Sequence, residues 1–275
     1  MAAWDSHFVD VGGIRTHYLA AGHGPTLVLL HSGEFGGCAE LSWEHNIGAF
    51  AEHFRVIAPD WLGFGKTDKL YDFAQGHRRL LSHMAGFLAA LRIDEADFIG
   101  NSMGGTFLAR VAASAKPMFP IRRMVLASGG GFAPDNAARR ALLDYDCTAD
   151  AMRVLLRSVF HDPRFAADEA YVQRRLAMTL EPGVWECTAA ARFRSPAMGV
   201  PPQFGKADDI PYEQIAAPTL IVAGANDQLR LPGYAQELHQ RIAGSRLLVL
   251  DGCGHCPNIE KAAQFNAAVI DFLTR

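Results

Sequence analysis

The stretch that most constrains this chain is Phe98-Ile99-Gly100-Asn101-Ser102-Met103-Gly104-Gly105. Ala96 to Ile99 reads as a short buried strand, and Thr106 to Ala115 reads as a helix. Gly100-x-Ser102-x-Gly104 between them has the spacing of a nucleophile elbow. A serine at the tip of so tight a turn must take strained backbone angles, and side chains at the flanking positions would strike the neighbouring strand and helix. The turn lifts the Ser102 hydroxyl clear of the sheet. It also leaves the Met103 N–H, at a helix N-terminus, aimed where an oxyanion would form.

The rest of the chain supplies the sheet that such a turn requires. His7 to Val11 and Arg15 to Ala20 alternate around Gly12-Gly13, as in a β-hairpin. Thr26 to Leu30 is a continuous apolar run, which suits a strand buried on both faces of a parallel sheet. A helix is expected from Trp43 to His53, a strand from Arg55 to Asp60 and a helix from Gln75 to Leu91. The elbow strand comes next, and then a strand from Arg122 to Ser128. This alternation marks a doubly wound α/β sheet. Trp61 to Thr67 is glycine-rich but lacks the spacing of a phosphate-binding loop.

From about residue 132 to 209 no buried-strand pattern occurs. Helices are expected at Asn136–Tyr145, Asp150–Phe160 and Ala167–Thr179, broken by prolines. The division is therefore a core of residues 1–131 and 210–275 with a helical lid at 132–209. The sheet resumes at Pro218–Gly224, followed by a helix from Pro232 to Ile242, a strand from Arg246 to Leu250 and a closing helix from Asn258 to Leu273.

Composition narrows the partners. With 275 residues, 49% apolar, a sizeable core can be filled. A net charge of −3 without a basic stripe gives no surface for nucleic acid. No apolar run is long enough to span a bilayer, and the start has no cationic-then-apolar leader, so a cytoplasmic protein is expected. The five cysteines are odd in number and scattered, which argues against a disulfide framework. Cys253-Gly-His-Cys256 lacks a second ligand pair and reads as two reduced thiols. No metal or cofactor is implied, the expected partner is a small-molecule substrate, and a homodimer stays open.

A serine hydroxyl needs a base within hydrogen-bond reach, and the base needs a carboxylate to fix its tautomer. Asp227 follows the Thr219–Ala223 strand by a short turn, and His255 follows the Arg246–Leu250 strand through Asp251-Gly-Cys-Gly. Both land on the rim that carries Ser102. Asp227 has a plain alternative as a turn or capping residue, and His255 as a surface-loop histidine; Asp251 ranks below Asp227 as the orienting acid. Gly33, in His31-Ser32-Gly33-Glu34-Phe35-Gly36-Gly37, is the candidate for the second oxyanion N–H, because glycine lets backbone approach the substrate oxygen. His31 is assigned to tying down this loop.

With these residues the chain resembles an α/β-hydrolase, whose chain order is serine, acid, histidine. More narrowly it is similar to the meta-cleavage product hydrolases, serine enzymes that split a C–C bond in vinylogous 1,5-diketones during bacterial aromatic degradation. The resemblance rests on Gly100-Asn101-Ser102-Met103-Gly104-Gly105, on the spacing from His31 to Asn46-Ile47-Gly48, and on Asp60-Trp61-Leu62-Gly63-Phe64-Gly65. It also rests on Val172-Gln173-Arg174-Arg175, where the family's arginine pairs with the substrate carboxylate; Arg175 is the better match and Arg174 the second. An arginine suits that task because its planar fork donates two hydrogen bonds. The resemblance thus implies substrate contacts from Ser32, Glu34, Ser42, Asn101, Arg175 and Cys256, with Trp185, Phe193 and Phe204 as apolar walls. The chain also departs from the family. Ser32, Glu34 and Phe35 interrupt its H-G-G-G-P-G loop, Ser42 replaces an asparagine, and Cys256 stands where a tryptophan usually follows the histidine. A carboxylesterase using the same three residues is the closest rival expectation, and a slow-turnover ligand receptor of the same fold is a more distant one.

Overall fold

Two positive-φ glycines, Gly12 (φ 61°) and Gly13 (φ 84°), turn β1 (Asp5–Val11) back on β2 (Ile14–Ala21). They open a computed structural model that describes residues 4–71, 76–190, 205 and 207–275. The strands that follow are β3 (Thr26–Leu30), β4 (Arg55–Pro59), β5 (Ala96–Asn101), β6 (Ile121–Ala127), β7 (Thr219–Gly224) and β8 (Arg246–Leu250). They form one eight-stranded sheet in the order β1-β2-β4-β3-β5-β6-β7-β8. The β1–β2 and β2–β4 pairs are antiparallel and the rest are parallel.

The continuous apolar runs are explained by burial on both faces. Val28, Phe98, Met124, Leu126 and Ile221 pack on one side, and Leu27, Leu29, Ile99, Val125 and Val222 on the other. The first side is covered by α3 (His77–Ala90), α4 (Met103–Ala112) and α10 (Tyr234–Arg241), through residues such as Phe87, Leu108 and Leu238. The second is covered by α1 (Ala39–Trp43), α2 (Ile47–Ala51) and α12 (Ala262–Thr274), through Trp43, Phe50, Phe265 and Val269. Between β6 and β7 lie α5 (Ala137–Leu143), α6 (Ala149–Val159), α7 (Arg164–Ala167), α8 (Glu169–Leu180) and α9 (Val184–Ala190). Their apolar faces make a third cluster that takes in Phe35, Leu229, Cys256 and Ile259 from the rim of the sheet. The inserted helices thus sit over the carboxyl ends of the strands, with α11 (Pro257–Glu260) bordering them.

The expected elements differ from these in a few places. Trp43, expected to open a helix running to His53, instead ends α1, and α2 (Ile47–Ala51) follows as a separate short helix. Asn46, fully buried between them, donates its amide to the Asn258 carbonyl (2.9 Å) and to Asn266 Oδ1 (2.7 Å), which fixes the break. The Ala167–Thr179 helix starts one residue later than Asp168, whose carboxylate caps the Tyr171 N–H. Helix α9 was not expected, and the closing helix is interrupted at Lys261.

Behind the rim, Asp60 clamps three segments. Its carboxylate accepts from the Ala39 N–H (2.7 Å), the Lys66 N–H (2.8 Å) and His17 Nδ1 (2.7 Å). The Trp61 indole and backbone N–H groups bond the His31 carbonyl and His31 Nε2, both at 3.0 Å. The glycine-rich stretch at 61–67 is therefore a structural clasp for the loop that follows β3, and a Cβ at Gly65 would fall into the Asp60 carboxylate. Replacing Asp60 by alanine leaves buried donors unpaired. Urea denaturation should show Asp60→Ala losing about 3 kcal/mol or more; a loss under about 0.5 kcal/mol, typical of surface sites, would contradict the clasp.

Candidate active site

Parallel register brings the strand ends level. Leu30 pairs with Gly100, Asn101 with Ala127, Ala127 with Val222 and Gly224 with Leu250. The loops leaving β3, β5, β7 and β8 consequently open on one rim, and three side chains meet there. The Ser102 hydroxyl lies 2.7 Å from His255 Nε2, and His255 Nδ1 lies 2.7 Å from Asp227 Oδ2. With Nδ1–H donating to the carboxylate, Nε2 is left to accept the serine proton.

Each member is held by its local structure. Ser102 has φ 51° and ψ −110°, a strained conformation for a residue with a side chain. Its N–H donates to the Ala127 carbonyl at 2.8 Å. The elbow glycines are required by close approach. A Cβ at Gly100 would lie 2.5 Å from the Gly104 carbonyl, and one at Gly104 would fall on the Leu30 carbonyl oxygen. The Asp227 carboxylate accepts from the Leu229 N–H at 2.8 Å. Burial alone would raise its pKa, but His255, Arg230 and the Leu229 N–H together outweigh that and hold it below the usual carboxylate range. The His255 N–H donates to the Val159 carbonyl at 2.8 Å, tying the histidine loop to α6.

The two residues expected to supply oxyanion N–H groups pack against each other. Met103 opens α4, so its N–H belongs to the turn without an intrahelical acceptor. Gly33 packs against it so closely that a Cβ there would be 2.5 Å from Met103 Sδ. His31 Nδ1 is 2.6 Å from the Ser32 carbonyl, in the loop-fastening position expected of it.

A cavity of about 290 Å³ opens over Ser102, and among the described residues Gly33, Glu34, Met103, Val159, Leu229 and His255 help line it. Of the expected substrate-contact residues, Glu34 is on this wall. Ser32 is buried beside it, and the Ser42 carbonyl accepts from Asn258 at 2.7 Å in the core behind. Asn101 donates to the carbonyls of Ala127 (3.2 Å) and His255 (3.4 Å) and accepts from the Cys256 thiol, so these two residues stitch the elbow to the histidine loop. Cys253 and Cys256 are buried, and burial pushes both thiols up, which leaves them poor nucleophiles. Trp185 bonds the Tyr145 carbonyl at 3.4 Å and stacks on Phe35. Phe193 and Phe204 fall outside the described residues. Asp251 is exposed.

The arginine pair resolves cleanly. Arg174 is on the surface with Glu44 (2.7 Å), whereas Arg175 is 1% exposed. Arg175 Nη1 donates to Glu34 Oε1 at 2.8 Å, and Nε and Nη2 donate to the Tyr171 hydroxyl at 3.2 and 2.9 Å. Burial would push the Glu34 carboxyl up, but Arg175 holds it below its ordinary value, so the pair is ionised. The buried stripe Tyr171, Val172, Arg175 and Thr179 has helical spacing and could have singled out Arg175 in the sequence. Arg139, Asp208 and Arg230 also line the cavity and were not anticipated. Arg230 donates to the Ser128 carbonyl (3.1 and 2.8 Å), and Arg139 to the Leu229 carbonyl (2.9 Å). Burial, with Arg230 nearby, pushes Arg139 down to about 10. Arg230 lies three residues after Asp227, and that proximity is its one signal in the sequence.

The Glu34–Arg175 pair yields a stability prediction. Arg175→Met strands a buried carboxylate and should cost about 3–5 kcal/mol in urea denaturation, while Glu34→Gln combined with Arg175→Met should recover a large part of it. A double variant no more stable than Arg175→Met would show that the two charges are not coupled.

Comparison with known proteins identifies the family of the fold. Residues 27–268 match the model of the Alpha/beta hydrolase family. The chain is 30% identical over 277 residues to the 2-hydroxy-6-oxo-6-(2'-aminophenyl)hexa-2,4-dienoic acid hydrolase of Metapseudomonas resinovorans, covering 100% of this chain and 92% of that one. It is 32% identical over 270 residues to the 2-hydroxymuconate semialdehyde hydrolase of Pseudomonas sp. strain CF600, covering 96% and 92%. Among solved structures, the meta-cleavage product hydrolase CumD of Pseudomonas fluorescens superposes with a TM-score of 0.85 at 27% identity, covering 98% of this chain and 97% of that one. Fold, rim and relatives agree that this chain belongs to the alpha/beta hydrolase family, in the company of its meta-cleavage product hydrolases.

Proposed function

We propose that this chain is a serine-dependent hydrolase of a C–C bond in a vinylogous 1,5-diketone, the kind of compound that ring cleavage of an aromatic produces. The observation that carries the reading is the continuous 2.7 Å, 2.7 Å linkage from Ser102 through His255 to Asp227, with Ser102 and His255 lining a cavity. The full-length relatives, named for 2-hydroxy-6-oxo-dienoate substrates, support the choice of bond.

The mechanism follows from what each group can hold. A dienol must first become a ketone, so that the departing carbon can accept an electron pair; in this reading His255 moves that proton. Ser102 adds to the remote carbonyl as His255 takes its proton, and the N–H groups of Gly33 and Met103 hold the oxyanion. Collapse breaks the C–C bond, with the pair delocalised into the dienolate, whose oxygen takes back the proton that His255 had accepted from Ser102. Water, deprotonated by His255, then releases the acyl group as a carboxylic acid. The helices at 132–209 serve in this reading as a lid that limits water access. A cytoplasmic location and a homodimer complete the proposal. Ester hydrolysis is the second reading. It is favoured by Glu34, an anion on the wall where a dienoate would bring another.

Two measurements test the reading. Loss of the yellow dienol colour of a 6-aryl 2-hydroxy-6-oxohexa-2,4-dienoate should fall by about 10⁴-fold or more in Ser102→Ala, and adding His255→Ala should cost little further because the two act as a unit. Asp227→Asn should fall by about 10⁴-fold. Ser102→Ala within tenfold of wild type would sink the serine mechanism; ester turnover without colour loss would move the assignment to the second reading.

A further inference from the structure

We infer that Glu34 sets the charge of the substrate: it occupies Arg175 and puts an anion beside the oxyanion donors, so the site takes a molecule that is uncharged beneath the His31–Cys38 loop. The inference rests on the serine-hydrolase reading above and refines its substrate class, because the relatives' names specify acids.

Three observations lead to it. Glu34 directly follows the donor Gly33 and lines the cavity with Ser102. Arg175 is not among the described residues lining that cavity; it reaches Glu34 from behind through Nη1, while its Nε and Nη2 donate to the Tyr171 hydroxyl. The side chains of the pair are 1% and 6% exposed, so little water screens them. A substrate carboxylate entering here would have to break the Arg175–Glu34 bond and sit buried next to a like charge, which costs far more than the lost bond. The other guanidiniums of the wall do not remedy this. Arg230 is fastened to the end of β6 and Arg139 to the Leu229 carbonyl, both across β5 from the loop that carries Glu34. A neutral group, such as a ketone, an ester or an amide, meets no such conflict.

The test compares 2-hydroxy-6-oxo-6-phenylhexa-2,4-dienoate with its methyl ester, scoring benzoate release so that only C–C cleavage is counted. A second pair, mono-4-nitrophenyl glutarate against 4-nitrophenyl butanoate, reads ester cleavage by nitrophenolate release. Wild type should favour the neutral member of a turned-over pair by at least about tenfold in kcat/KM. Glu34→Gln, which keeps the shape and leaves Arg175 seeking an anion, should raise the anionic-to-neutral ratio by at least about tenfold. In Glu34→Gln with Arg175→Met that rise should vanish, a result a merely structural role for Glu34 would not give. If Glu34→Gln does not fold, the wild-type preference and that of the double variant decide. Equal use of both members by wild type, or a rise that survives loss of Arg175, overturns the inference while leaving the serine mechanism intact. Absence of Ser102-dependent turnover of either pair overturns the mechanism, and the inference with it.

Discussion

The site depends on how closely three pieces of backbone approach at the rim of the sheet. Gly104 lies against the Leu30 carbonyl, Gly105 against Gly100 and Gly129, and Gly224 against the carbonyls of Cys253 and Gly254. None of these contacts admits a side chain. They lock the ends of β3, β5 and β6 together and seat the histidine loop on the end of β7. Given that lock, parallel register determines which loops share the rim, and the positive-φ serine can be held against its own strain because its neighbours leave it no alternative. The close approach turns residues distant in the chain into a hydrogen-bonded unit.

Electrostatics then divides the rim. On the β7–β8 side, Asp227 is buried and kept anionic for His255, with Arg230 adding to that stabilisation. On the β3 side, a second buried carboxylate, Glu34, is kept anionic by Arg175. Buried ion pairs of this kind contribute little net stability compared with an apolar pair, but removing one partner is costly. That asymmetry lets the pair persist as a fixed feature of the wall, and it makes the wall's charge a property of both residues rather than of either alone.

Much of the fold was legible in the sequence because its causes are local. The Gly12-Gly13 hairpin, the doubly buried apolar strands and the elbow spacing each follow from backbone sterics or alternation, and the positions of Asp227 and His255 follow from counting past strand ends. What was not legible depends on distant partners. The break at Asn46 is fixed by Asn258 and Asn266, more than two hundred residues on. Asn101 and Cys256, expected at the substrate, are bonded to each other, and Asn101 also to the carbonyls of Ala127 and His255. The partnership of Glu34 with Arg175 spans 141 positions, and no local pattern links a loop glutamate to one of two adjacent helix arginines. Arg139 and Arg230 reach the cavity for the same kind of reason, through tertiary anchoring to the carbonyls of Leu229 and Ser128.

The central claim is that a single hydroxyl on the rim is made nucleophilic by the imidazole beside it. Treatment of the folded protein with a fluorophosphonate, followed by peptide mass spectrometry, tests this without knowledge of the substrate. The account predicts one adduct, on the peptide carrying Ser102, and its loss in folded His255→Ala. An adduct on another residue, or unchanged labelling of Ser102 without the histidine, would contradict it.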